Sequence, residues 1–231
     1  MKIARRSFSM ILPAAAACNL FGQTPPPTAP AHIESTLVND WIIKAHQRKL
    51  DAMKELLARQ PSLIHSSWDW GNGDFESALQ AAAHTGSREM ALFLLDQGAR
   101  LDLFATTMLG QATLLRNAVE TFPASINVRG AHGITLLSHA VQGRDQARST
   151  LDYLLGKGID INESSTAGTT ALMMSAQTAQ RDTVNFLLAK GANPNMKAKD
   201  GSTALSISLK AGHQDIASDL KAAGAVGYPA G

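Results

Sequence analysis

Cysteine and aromatic residues are scarce in this sequence. A single cysteine, Cys18, stands among 231 residues, which excludes an internal disulfide framework. Phe, Trp and Tyr make up only 5% of the chain, and alanine and leucine carry most of the apolar share, a bias toward close helix contacts rather than β-sheet. No HExxH, GxSxG or phosphate-loop pattern occurs, and no Cys/His cluster has metal-ligand spacing, so no enzyme class is announced and no cofactor is expected. The 45% apolar and 17% charged composition is nevertheless that of a globular chain.

A lasting basic stripe is also missing. The chain begins MKIARRSFSMILPAAAAC, with Lys2, Arg5 and Arg6 ahead of an apolar stretch too short to remain as a bilayer span. Residues 1–23 read as an export signal and 24–35 as a Pro-rich linker. Arg5-Arg6 with Phe8 resembles the twin-arginine signal, which implies export of a folded protein. Ala4 and Ser9 replace the Ser/Thr and Leu of that motif and leave the general secretory route open. The expected location is periplasmic or otherwise extracytoplasmic, in a bacterium. Removing the three leader cations takes the basic count from 21 to 18 against 19 acids, a net charge of −1 rather than +2. Nucleic acid is therefore excluded as a partner. Cys18 follows Ala15-Ala16-Ala17 and has two readings: a lipid-carrying first residue after cleavage, or a small residue of a discarded signal. Ala15 stands where a lipobox has Leu.

Beyond the leader the chain repeats itself. Thr170 to Thr203, Gly158 to Gly191, Gly191 to Gly224 and Asn162 to Asn195 are each 33 residues apart, the mark of stacked units that cannot bury their apolar faces alone. Within one unit Thr170-Ala171-Leu172 opens a short helix. Arg181-Asp182 opens a second, with Val184, Phe186, Leu187 and Leu188 at helical spacing, and Gly191 stops it.

At these residues the sequence resembles the ankyrin repeat. The clearest copies are 168–195 and 201–225; earlier ones run from Gly133 to Asn162 and from Glu76 to Asp102. The resemblance implies an all-α solenoid of about six helix-turn-helix units with finger loops, approximately 36–66, 73–102, 103–127, 131–162, 166–195 and 199–225. These form one domain over 36–226, followed by a tail at 227–231. Ala78, Leu136, Ala171 and Ala204 replace the family's Pro, and Gln80, Ser138, Met173 and Ser206 its His, which predicts weaker turn-locking hydrogen bonds. A contracted spacing of 25 between Asp102 and Asn127 predicts a unit without a full finger loop, and an expanded spacing of 35 up to Asn162 places an insertion near 143–146. Leu50, Met53, Leu56 and Leu57 mark an N-terminal cap; Gln214, Asp215, Ser218, Asp219 and Lys221 make the last helix polar, as an outer cap requires.

The resemblance also implies a groove. Its first-helix positions map onto Ala81, His84, His139, Gln142, Met174, Gln177, Ile207 and Lys210, and its finger loops contribute Trp68, Trp70, Arg129, His132, Glu163, Ser165, Lys197 and Lys199. Trp68 and Trp70 either anchor a partner or close the core over the N-terminal cap. His84, His132 and His139 are taken as separate polar residues of an interaction face rather than as a metal site. Gly156-Lys157-Gly158 has the flavour of a phosphate loop but sits where a repeat helix needs Gly. Asp69, Asp74 and Glu76 flank a Gly-rich loop without EF-hand spacing and read as a turn. The function these features predict is non-enzymatic binding of a partner protein or peptide by a monomer. A chaperone-like accessory of a co-exported enzyme, and a small-ligand binder or divergent enzyme, are the alternatives.

Overall fold

Glycine, threonine and short apolar stripes divide the chain into pairs of helices. The computed structural model describes residues 33–227; the leader, Cys18 and most of the Pro-rich linker lie outside the described residues. Among the described residues twelve α-helices form six consecutive pairs: α1 (Ser35–His46) with α2 (Leu50–Arg59), α3 (Ala78–Thr85) with α4 (Arg88–Asp96), α5 (Leu103–Met108) with α6 (Ala112–Thr121), α7 (Leu136–Gln142) with α8 (Arg148–Gly156), α9 (Ala171–Gln177) with α10 (Arg181–Ala189), and α11 (Ala204–Lys210) with α12 (Gln214–Ala222). The all-α solenoid expected from the repeats is the observed architecture.

The first helices of the pairs pack in series, α1 on α3, α3 on α5, α5 on α7, α7 on α9 and α9 on α11. A helix flanked on both sides and backed by its own partner is buried almost all round, and residues 136–141 of α7 and 171–176 of α9 are all buried. That burial explains their small, apolar composition, since Ala and Ser let backbones approach. The second helices bury one stripe each, such as Met90, Ala91 and Leu94 in α4 or Ile216, Ala217 and Leu220 in α12.

Each inner helix after α1 starts where a hydroxyl or carboxylate captures a free backbone N–H. Ser77, Asp102, Thr135, Thr170 and Thr203 accept from the N–H groups of Gln80, Ala105, Ser138, Met173 and Ser206. Two of the residues replacing the family's His close the box in return: Gln80 Oε1 accepts from the Ser77 N–H at 3.2 Å, and Ser206 Oγ from the Thr203 N–H at 2.9 Å. The weakening expected at Gln80 and Ser206 is therefore offset by side chains that reach the same donors.

Finger loops precede α3, α7, α9 and α11. The first is a hairpin of β1 (Ser67–Asp69) and β2 (Phe75–Ser77); the next two narrow to single bridges, Arg129 with Thr135 and Ser164 with Thr170. The contracted unit has no finger: Asp102 caps α5 immediately after α4 and its turn. The inserted residues form a 3₁₀ turn, Arg144–Ala147, between α7 and α8. Successive fingers are tied tip to tip, the Thr166 N–H and Oγ1 donating to His132 O at 3.1 and 2.6 Å, and the Lys199 N–H to Ala167 O at 2.9 Å. This close stacking requires Gly133, whose φ is +64° and whose added Cβ would lie 2.7 Å from Thr166 Cγ2.

The recurring Asn has a matching role. Asn162 Oδ1 accepts from the Asn193 N–H at 2.8 Å, and Asn195 Oδ1 accepts from the Val226 N–H at 2.9 Å while its Nδ2 donates to Gly224 O at 3.0 Å. Each Asn thus ties one unit's end to the next.

Candidate functional site

The residues expected to face a groove separate by their place in the helix. His84, Gln142, Gln177 and Lys210 are each the seventh residue of an inner helix and remain accessible: the first two are half-buried, the others exposed. Ala81, His139, Met174 and Ile207 occupy the fourth position. Ala81, His139 and Met174 are buried at 0%, 1% and 9% exposure and present no surface to a partner, a correction to the sequence reading. At the fourth position the side chain is enclosed by the stacked helices, as His139 of α7 is against Phe104 of α5. Only Ile207, where the stack ends, stays half-buried.

His139 donates from Nδ1 to Thr135 O at 2.8 Å and lies against Phe104, with ring centroids 5.0 Å apart. Burial holds its imidazole down at about 4, the Thr135 carbonyl pulling weakly the other way.

Of the finger residues, Arg129 is occupied by its neighbour, donating to Ser164 O at 2.6 Å and Gly133 O at 3.1 Å and facing Glu163 at 3.5 Å. Lys197 and Lys199 are exposed. Trp68 is partly buried against the core, whereas Trp70 is 39% exposed and its indole N–H donates to Glu76 Oε2 at 2.7 Å. Of the two tryptophans, Trp68 packs against the core, as one reading expected, and Trp70 stands over a polar site.

That site is centred on Glu76, a fully buried carboxylate on β2. Three imidazoles converge on it from three parts of the chain. His46, the last residue of α1, has Nδ1 on Ile42 O at 3.0 Å and Nε2 at 3.3 Å from Glu76 Oε2. His84, near the end of α3, has Nδ1 3.0 Å from Glu76 Oε1. His132, at the tip of the next finger with a φ of +59°, has Nδ1 3.1 Å from Asp74 Oδ2 and Nε2 3.6 Å from Glu76 Oε2. The His132 N–H also donates to Asp74 Oδ1 at 2.9 Å, so Asp74 fixes both the ring and the backbone of this residue. Trp70 closes the side, its ring 5.8 Å from that of His46 and 5.7 Å from that of His132.

Electrostatics hold the group together. Burial works against a charged Glu76, but the attraction of His84 and His46 and the Trp70 indole N–H keep its pKa below the usual carboxylate range. Burial lowers the pKa of His46 and outweighs the attraction of Glu76; His84 and His132 act in the same direction as burial.

The missing finger makes this meeting feasible. With no loop ahead of α5, the finger before α7 reaches the hairpin before α3, and residues 58 apart in sequence bond directly. His84 and His132 do converge, then, but with His46 and Glu76 rather than with His139. His46 lies in the N-terminal cap unit, ahead of the recognisable copies; the only signal for it in the sequence is its position four residues after the apolar Ile42. The loop acids expected to form a turn are engaged: Asp69 accepts from the Gly71 N–H, Asp74 holds His132, and Glu76 holds the cluster. Lys157 lies 5.5 Å from the Tyr153 ring centroid and 3.6 Å from Glu120, as a residue at the end of α8.

Residues 137–226, from α7 almost to the end of the described chain, match the family model described as ankyrin repeats (3 copies). These residues are ankyrin repeats, and such repeats are generally protein–protein interaction modules. All four cluster residues precede the matched segment. Comparison with curated proteins finds no match to the chain.

Proposed function

We propose that the protein is an exported, non-enzymatic adaptor that binds a partner protein or peptide along the face formed by its inner-helix ends and finger loops. The observation that carries this reading is the seventh position of the inner helices. It is accessible at Gln142, Gln177 and Lys210 of the last three inner helices and differs at each, while the fourth position is buried wherever another helix follows. A surface that varies at fixed spacing on an invariant scaffold reads a partner side chain by side chain. The exposed faces of Trp70 and Phe75 on the first finger, at 39% and 59%, supply aromatic anchors at one end of that surface. Export rests on the leader, and residence outside the cytoplasm follows from it.

The test is affinity capture by the untagged full chain from envelope extract. A Gln177→Glu/Lys210→Glu version and an outer-helix control, Leu92→Ser, run beside it. One protein retained by the wild type and the control, and lost from the charge-reversed face, is the expected result. Equal retention by all three, or none by the wild type, refutes the adaptor reading. Fractionation of expressing cells places the chain in the envelope if the leader acts as proposed.

A further inference from the structure

Two imidazole nitrogens at the cluster face a carboxylate with nothing between them. The Nδ1 of His46 contacts a backbone carbonyl, which can only accept, so this nitrogen carries the hydrogen and the neutral ring presents a lone pair at Nε2. His132 is fixed the same way by Asp74. Both lone pairs then point toward Glu76 Oε2, at 3.3 and 3.6 Å, and Oε2 is an acceptor too. The other carboxylate oxygen, Oε1, is buried and has no hydrogen-bond partner, its 3.0 Å approach to His84 Nδ1 lying outside hydrogen-bond geometry. Acceptors gathered around a buried anion need a positive centre among them, either a proton on an imidazole or a bound cation.

We propose that His46, Glu76, His84 and His132 are the ligands of a zinc ion that clips the N-terminal helix pair to the first and second fingers. One donor atom from each of the four residues lies within 4.8 Å of all the others. Four ligands at zinc bond lengths would stand about 3.3 Å apart in a tetrahedron, so modest inward rotation of the side chains completes the shell. Three imidazoles and one carboxylate suit zinc among the abundant divalent ions and are wrong for calcium or magnesium, which take oxygen ligands. The outer shell is already in place. A carbonyl holds His46, a carboxylate holds His132 and an indole N–H holds Glu76, the partners that orient metal ligands and fix their tautomers. Entry is open on one side, since the His132 side chain is 37% accessible.

The test uses the untagged full chain, stripped with chelator and titrated with Zn2+ against a chromophoric competitor, with Co2+ as a spectroscopic probe. The expected result is one Zn2+ per chain, a rise in melting temperature on loading, an intense tetrahedral Co2+ spectrum, and quenching of tryptophan fluorescence through Trp70. Glu76→Gln and His46→Gln should each weaken Zn2+ binding by about 100-fold or more, beyond the range seen when an outer-shell partner alone is lost. His213→Asn, distant from the cluster, should leave it unchanged. Failure of the wild type to take up Zn2+, a Co2+ spectrum of octahedral type, or equal uptake by wild type and Glu76→Gln would each overturn the proposal. If Glu76→Gln fails to fold, the Co2+ spectrum of the wild type still decides.

Discussion

A single histidine shows how position within a short helix decides what a residue can do. His139 and Gln142 belong to the same seven-residue helix, yet one is buried against Phe104 of α5 and the other reaches the surface. Because the folded pKa of His139, about 4, lies below its unfolded value near 6.5, the unfolded chain takes up the proton first as pH falls. Stability is full above about pH 6.5 and declines toward pH 4. Between about pH 7.5 and pH 5 this one residue should cost on the order of 2 kcal/mol. His84 and Glu76 act on it at longer range, the first lowering and the second raising its pKa, and they remain in the variant. His139→Asn, whose amide can keep the hydrogen bond to Thr135 O, should lose less stability over that interval in urea unfolding. Equal losses in wild type and variant would show that His139 is not the source. The sequence distinguishes none of this: a 33-residue period places a residue in its unit but does not say which side of a two-turn helix the next unit covers.

At the scale of elements, α5 is the weakest member by its own resources. It has six residues, against seven to twelve in the other helices of the described chain, and no finger leads into it. A helix this short cannot nucleate alone, and its start depends on Asp102, whose carboxylate accepts from the Ala105 N–H at 2.8 Å. Asp102→Ala should destabilise the protein by about 1 kcal/mol, the usual loss for a removed cap, and hydrogen exchange should accelerate first in residues 103–108. Unchanged protection there would mean that packing between α3 and α7 alone keeps α5 formed. The contracted spacing between Asp102 and Asn127 made this unit legible in the sequence, as the expanded spacing made the 3₁₀ turn at 144–147 legible. What spacing could not convey is that deleting a loop moves its neighbours together. By sequence alone His84 and His132 are separate polar residues of an interaction face; the short unit is what brings both to Glu76.

On the scale of the whole molecule, the array ends in a tether rather than a cap alone. Asn195 joins the last turn to the preceding unit through Val226 and Gly224. Asn195→Ala should raise hydrogen exchange across α11 and α12 while leaving α1 to α4 protected, because each unit leans on its neighbours. Uniform loss of protection would instead indicate a chain that unfolds as one block. The period of 33 identified this Asn and its partner Asn162 as recurrent, and their bonds supply the reason.

The absent finger has one more effect. In a strict stack the second unit senses the fourth only through the third. Here α3 touches α7 as well as α5, and Asp74 bonds His132 across the gap. Units two, three and four therefore form a closed circuit of contacts rather than a line, with two independent routes between its ends. A disturbance of α5 can be bypassed through the direct contact of α3 with α7, so the middle of the molecule tolerates the failure of its weakest part.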